Sequence, residues 1–150
     1  TSRAIGAQLL RHRSFTFQEF SQRYQDVSML GDQPFEKVEL RKQCTNNRQS
    51  STEIVNLCDD DHAAIEEHMK NVWNFYNIML GKGVARECAR FFLPLCTKTK
   101  IHMSGSIRSW IHFLDLRDDD HAQKEIRDIA KAIRVIFSQQ FPLIAQTLTG

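Results

Sequence analysis

Residues 11–24 bring Arg11, Arg13 and Arg23 together with His12, Glu19, Ser14 and Ser21, and interleave them with Phe15, Phe17, Phe20 and Tyr24. Fixed charges do not belong in a core, and four aromatic rings do not belong in a solvated segment. Both belong in the wall of a pocket for an anionic, planar ligand. A guanidinium is permanently charged and presents a flat fork of donors that matches phosphate. A serine hydroxyl and nearby backbone N–H groups complete such a cradle.

These side chains need elements to hold them. Ala4, Ile5, Leu9 and Leu10 recur at helical spacing, which predicts a helix with Gln8, Arg11 and His12 on one face. Phe15 and Phe17 then alternate with Ser14 and Thr16 as in an extended run. Phe20 and Tyr24 are out of phase with them, so a bulge or helical turn is expected between Phe17 and Phe20. If the chain is extended beyond that break, Glu19, Ser21 and Arg23 share a face.

Residues 25–52 are polar and aperiodic, a mobile excursion with a short helical turn around 35–40. Asp59, Asp60 and Asp61 open a helix whose stripe is Ile65, Met69, Val72, Trp73, Tyr76, Met79 and Leu80, closed by Gly81-Lys82-Gly83. Trp73 and Tyr76 lie on that stripe and read as core rather than as a cofactor platform. A short helix over 84–93 stops at Pro94 and sets Glu87 and Arg90 on one face. Alternation over 97–104 predicts a strand with one polar face. Ser106 then caps a helix with the stripe Ile107, Trp110, Ile111 and Leu114, leaving Arg108 and His112 off it. A last helix begins near Asp120, has Gln123 in capping-box position, and buries Ile126, Ile129, Ala130, Ile133, Ile136 and Phe137. Phe141-Pro142 ends it, ahead of a terminal turn over 143–148. The expected architecture is α+β: helices packed around a small, mostly antiparallel sheet, in a single domain over 1–150.

Composition narrows the function classes. The chain is 41% hydrophobic and 25% charged, ordinary for a globular protein. A net charge of +2 makes no case for binding a nucleic-acid polymer. No apolar run approaches a membrane span. Cys44, Cys58, Cys88 and Cys96 form no CxxC pair, which argues against zinc and for a reducing, intracellular (cytoplasmic) setting. Asp-Asp-Asp-His occurs at 59–62 and again at 118–121. Carboxylates and imidazoles are metal ligands, but aspartates also gather where helices start. Helix capping at both places is the expectation, with no metal.

The spacing Arg11-His12-Arg13, seven residues, then Ser21-Gln22-Arg23-Tyr24 resembles the signature of the flavin-dependent thymidylate synthases. The runs from Ala85 through Arg90 to Leu95, from Ile107 to Trp110, and from Leu116 to Ile126 are similar to that family too. The resemblance implies reductive methylation of deoxyuridine monophosphate (dUMP) to thymidylate. Methylenetetrahydrofolate is then the carbon donor, FAD the hydride source, and NADPH the reductant that reloads it. By family position, Arg117 would stabilise negative charge developing on the pyrimidine. Gln8, Arg11, Glu19, Ser21, Gln22, Arg23, Arg90 and Arg117 match nucleotide-binding positions. Arg11, His12, Arg13, Glu19, Ser106, Ile107, Arg108, His112 and His121 match flavin-binding positions. Glu87 would be an acidic group near the reaction. The family's sites are shared between subunits of a homotetramer, and its members carry a further N-terminal flavin-binding segment that is not in the sequence given. Gln18, Ser106 and His112 stand where asparagine is frequent, which changes reach but keeps hydrogen-bonding capacity. Competing readings are a catalytically incomplete nucleotide-binding fragment, a metal-dependent phosphohydrolase built on the two aspartate runs, and a plain helical interaction domain.

Overall fold

The computed structural model describes residues 1–31 and 33–146. Among the described residues, six helices and two small antiparallel sheets make the chain α+β, as expected. In chain order the elements are α1 (Arg3–Leu9), β1 (Thr16–Glu19), β2 (Arg41–Gln43), β3 (Ser51–Ile54), α2 (Asp59–Gly81), α3 (Arg86–Ala89), β4 (Ile101–Ser104), α4 (Ile107–Arg117), α5 (Lys124–Gln140) and α6 (Pro142–Ala145). β1 pairs with β4, and β2 with β3. The chain divides into two compact units.

The first unit holds Thr1–Gly6, Gln18–Leu40 and Ile54–His102. Its spine is the extended run ahead of β4. Arg3 N–H donates to the Thr97 carbonyl at 2.9 Å, Thr99 N–H to Thr1 at 2.7 Å, Lys98 N–H to Pro34 at 2.9 Å and Phe20 N–H to Lys100 at 2.8 Å. Regular strand begins only at Ile101, because the partners of 97–100 are single bridges and turns rather than one neighbouring strand. α2 starts where the aspartates predicted. Asp61 accepts from the Cys58 N–H at 3.3 Å, and three carboxylates sit in the first turn, where the helix dipole favours them. Only Tyr76 of the predicted stripe is fully buried, and Ile65 is exposed. Trp73 stacks on Tyr76 at 5.3 Å and meets Phe35 edge-on at 6.1 Å, so both α2 rings pack on protein. The helix expected over 84–93 is shorter: α3 passes into a tight turn over Arg90–Phe92.

The second unit holds Ala7–Phe17, Arg41–Glu53 and Met103–Gly150, described to residue 146. α4 packs on α5 around Leu9, Phe15, Phe113, Leu114, Ile126, Ala130 and Phe137, all buried. Phe113, absent from the predicted α4 stripe, is central, whereas Ile107 and Ile136 are exposed. Ser106 caps α4 as predicted, its hydroxyl accepting the Ser109 N–H at 3.2 Å. α6 over Pro142–Ala145 accords with a terminal turn after Phe141-Pro142. Residues 147–148 of that expectation lie outside the described residues.

Three expectations are corrected. Residues 25–52 are not featureless: a tight turn spans Val27–Leu30, 35–40 holds no helix, and β2 and β3 form a ribbon. Its residues are mostly exposed, so no apolar alternation announces it. It is tied instead by Lys42 to Glu53 at 2.8 Å and Arg41 to the Ser51 hydroxyl at 2.8 Å. Secondly, α5 begins at Lys124 with Gln123 as its N-cap residue, not near Asp120. Thirdly, β1 runs unbroken through Phe17 to Glu19, and the change of phase comes after it, in the turn over 21–24.

Candidate functional site

In the second unit the site residues are set by where α1 stops. The helix ends at Leu9, and the chain turns through Arg11 N–H to the Gln8 carbonyl and His12 N–H to the Leu9 carbonyl. Gln8, Arg11 and His12 therefore do not share a helix face. Arg11 is exposed and His12 is buried.

His12 lies edge-on to Phe113 at 4.9 Å and to Phe15 at 6.3 Å. Its Nε2 accepts the Arg117 Nε–H at 2.9 Å. Arginine offers donors only, so this bond needs a bare Nε2 and puts the ring proton on Nδ1. Burial first, then Arg117 and His112, lower His12 below its ordinary value. The imidazole is thus neutral at pH 7. Burial, and after it the positive charge of Arg11, lower Arg117 in turn. Arg117 thus feels the positive charge of Arg11, and among the described residues neither side chain has a carboxylate partner.

In the same unit, Arg13, Arg108 and His112 are exposed and, among the described residues, unpaired. The Ser106 hydroxyl is occupied by its cap and by Ser109, and Ile107 beside it is exposed. His121 contacts Asp119 at 2.7 Å in an exposed turn; the His121 backbone N–H, then its ring, lower Asp119. The Gln8 side-chain amide donates to Gln123 Oε1 at 2.6 Å. No sequence pattern links residues 115 apart, and Gln123 was not a predicted site residue.

In the first unit, Glu87 gathers two predicted arginines. Its carboxylate takes Arg23 at 3.2 Å, and its carbonyl takes the Arg90 Nε–H at 3.2 Å. Ser21 and Arg23 lie in a turn rather than an extended run, so Glu19, Ser21 and Arg23 do not line one face. One oxygen of Glu19 is taken by Arg3 at 2.9 Å and by the Thr99 hydroxyl at 2.9 Å. Arg3 is a partner that periodicity alone did not single out. Gln22 is buried, and its amide nitrogen has no partner among the described residues.

The two Asp-Asp-Asp-His runs have different fates. The first caps α2. The second lies after α4, not at a helix start: Asp118 pairs with Arg134, Asp119 accepts the His121 N–H, and Asp120 takes Arg127 at 2.8 Å. Among the described residues no group of three or more His, Cys, Asp or Glu side chains is placed to hold a metal ion. Among them, too, no helix is long and apolar enough to cross a membrane.

Comparison with known proteins points one way. The family model described as thymidylate synthase complementing protein matches residues 1–143. A protein of Paramecium bursaria Chlorella virus 1, named "Probable flavin-dependent thymidylate synthase", is 48% identical over 150 residues, covering 99% of this chain and 68% of its own. A flavin-dependent thymidylate synthase of Synechocystis sp. is 44% identical over 155 residues, covering 99% of this chain and 67% of its own. One from Thermus thermophilus is 36% identical over 139 residues, covering 93% of this chain and 50% of its own. The chain thus spans between half and about two thirds of the length of these relatives.

Proposed function

Because the chain belongs to the flavin-dependent thymidylate synthase family, we propose that it carries out the reductive methylation of dUMP to thymidylate, with 5,10-methylenetetrahydrofolate as carbon donor. FAD, reloaded by NADPH, supplies the hydride when bound. The observation that carries this reading within the structure is Arg117, half-buried, under the positive charge of Arg11 and, like Arg11, without a carboxylate partner among the described residues. A phosphorylated pyrimidine supplies what both lack. The phosphate suits Arg11, and a uracil ring that accumulates negative charge suits Arg117. In the first unit Arg23 and Arg90, with Ser21, are further phosphate donors. Gln8, Glu19 and Gln22 complete the nucleotide set.

The residues present also fit a flavin dinucleotide. Arg11, Arg13 and Arg108 carry no carboxylate partner among the described residues, as a pyrophosphate requires. Glu19, Ser106, Ile107, His112 and His121 are the remaining flavin contacts on this reading, with His12 as the buried post behind them. No cysteine nucleophile is invoked, and the four cysteines are free thiols, as suits a reducing intracellular setting.

Sites shared within a homotetramer fit the apolar surface. α2 buries one residue of 23, while Phe75 and Ile78 on it are exposed together with Phe91, Phe92 and Leu95. An apolar surface of that kind marks a protein contact, and further copies of this chain would cover it.

The test is Arg117→Ala in FAD-loaded protein. Thymidylate formation should fall about 100- to 1000-fold, as on removing one preorganised charge stabiliser, while the yellow flavin stays bound. A fully active variant would remove the role given to Arg117. Wild-type protein that takes up no FAD and does not oxidise NADPH in the presence of dUMP would remove the reaction.

A further inference from the structure

We infer that His12 is a positioning residue for Arg117: a neutral imidazole whose bare Nε2 holds the Nε–H edge of the guanidinium and leaves both terminal nitrogens, with their charge intact, to the ligand. The inference rests on the role proposed for Arg117 and adds how the side chain is aimed. Five other arginines are held by acids, Arg3 by Glu19, Arg23 by Glu87, Arg41 by Glu125, Arg127 by Asp120 and Arg134 by Asp118. A carboxylate would aim Arg117 as well as an imidazole does. It would also take up the fork and offset the charge that a developing anion needs. A neutral ring aims without neutralising.

Two features make the imidazole a fixed post. It is buried, and it meets the rings of Phe113 and Phe15 edge-on. Its single bond to Arg117 is made at Nε, the one guanidinium N–H that lies outside the terminal fork. The charged or titratable groups acting on the pair are Arg117 itself, His112 on α4 and Arg11 in the preceding turn. None is an acid, so nothing there favours a proton on the ring. A second ring proton would replace the acceptor with a donor and set a cation against a cation, releasing Arg117.

The test uses ligand-free protein, so it does not depend on turnover. Long-range 1H–15N correlation spectra of 15N-labelled protein report the tautomer of each histidine, and a pH series reports its titration. His12 should show Nδ1–H with an unprotonated Nε2, and should titrate below the ordinary 6.5. In Arg117→Met its midpoint should move upward, and the Nε2 resonance should shift as the hydrogen bond is lost. An Nε2–H tautomer in the wild type overturns the inference without need of any variant. So does a His12 midpoint indifferent to Arg117→Met. An active Arg117→Ala enzyme combined with the expected tautomer would instead fault the role given to Arg117 in the reaction and leave the positioning geometry standing.

Discussion

Replacing Gly105 with alanine tests the packing on which His12 depends. Gly105 lies in the turn between β4 and α4, and a Cβ there would meet Phe15 Cδ1 at 2.7 Å and Cε1 at 2.9 Å. Carbon atoms pack best about 3.5–4.0 Å apart, so one of the two must move by roughly an ångström. Phe15 has little room to move. It is buried, with Trp110 at 4.7 Å, Phe113 at 6.0 Å and His12 at 6.3 Å, all edge-on. Overpacking of this kind costs about 1–3 kcal/mol. For a chain of this size that lowers the melting temperature by about 2–12 °C. Gly6 provides the comparison. Its Cβ would meet the tip of Ile101 at 3.1 Å and the Thr99 methyl at 3.3 Å, contacts that need a shift of only tenths of an ångström, so Gly6→Ala should cost less. The assay is thermal unfolding of wild type, Gly105→Ala, Phe15→Leu and the double variant at one protein concentration. Phe15→Leu removes the ring edge that the new methyl strikes. The double variant should therefore be more stable than the sum of the singles by about 1–2 kcal/mol. A Gly105→Ala protein that melts with the wild type, or a strictly additive cycle, would show that Phe15 is not confined as described.

Two further outcomes are expected. The Tyr76 hydroxyl is buried with no partner among the described residues, and burial first raises its ionisation above the ordinary value; Tyr76→Phe should leave the melting temperature unchanged or raised, and a clear loss would reveal a partner for that hydroxyl. Burial alone would raise Glu125, but hydrogen bonds from Arg41, its own backbone N–H and Gln123 outweigh it and hold the carboxyl below its ordinary value. A depressed carboxyl contributes stability that is present above its unfolded value and is lost as pH falls through the folded one. Arg41→Gln should therefore cost about 1 kcal/mol at neutral pH, after allowance for solvent screening of the half-exposed acid. In denaturant melts that gap should close as pH falls below about 4. A gap independent of pH would mean that the Arg41–Glu125 contact is not the source.

Elements with local signals were readable in the sequence. The aspartates and glycines around α2, the Ser106 cap of α4 and the stripe of α5 each depend on residues within a turn of one another, and each is found. What was not readable depends on distant chain. The β2–β3 ribbon has no buried face to impose alternation, so its polar sequence looked like loop. Phe113 becomes central only because His12, Phe15 and Trp110 converge on it from two segments. The second aspartate run imitates a helix start, yet its three carboxylates are directed to Arg134, His121 and Arg127. For the site, the motif spacing nominates residues but says nothing of their surroundings. Nothing local distinguishes exposed Arg11 from buried His12, and only the end of α1 at Leu9 separates them.

The arginines divide by the company they keep, and the division bears on what each can do. Arg23 is matched by Glu87 at 3.2 Å, with both side chains about half exposed. An ion pair in water is worth at most about 1 kcal/mol, so a dianionic phosphate could take Arg23 from Glu87 at small cost. Arg23 can therefore hold a phosphate while staying neutralised when none is bound. Arg117 has no such counterpart: its bond to a neutral imidazole fixes direction and leaves the charge uncompensated. A group that only grips can tolerate an acid beside it. A group that must respond to charge arising on a ring during reaction cannot, because the acid would oppose that charge as strongly as the guanidinium favours it. On the function proposed above, the imidazole beside Arg117 and the carboxylate beside Arg23 would separate stabilisation of the reacting ring from phosphate binding, on the chemistry of the partner alone.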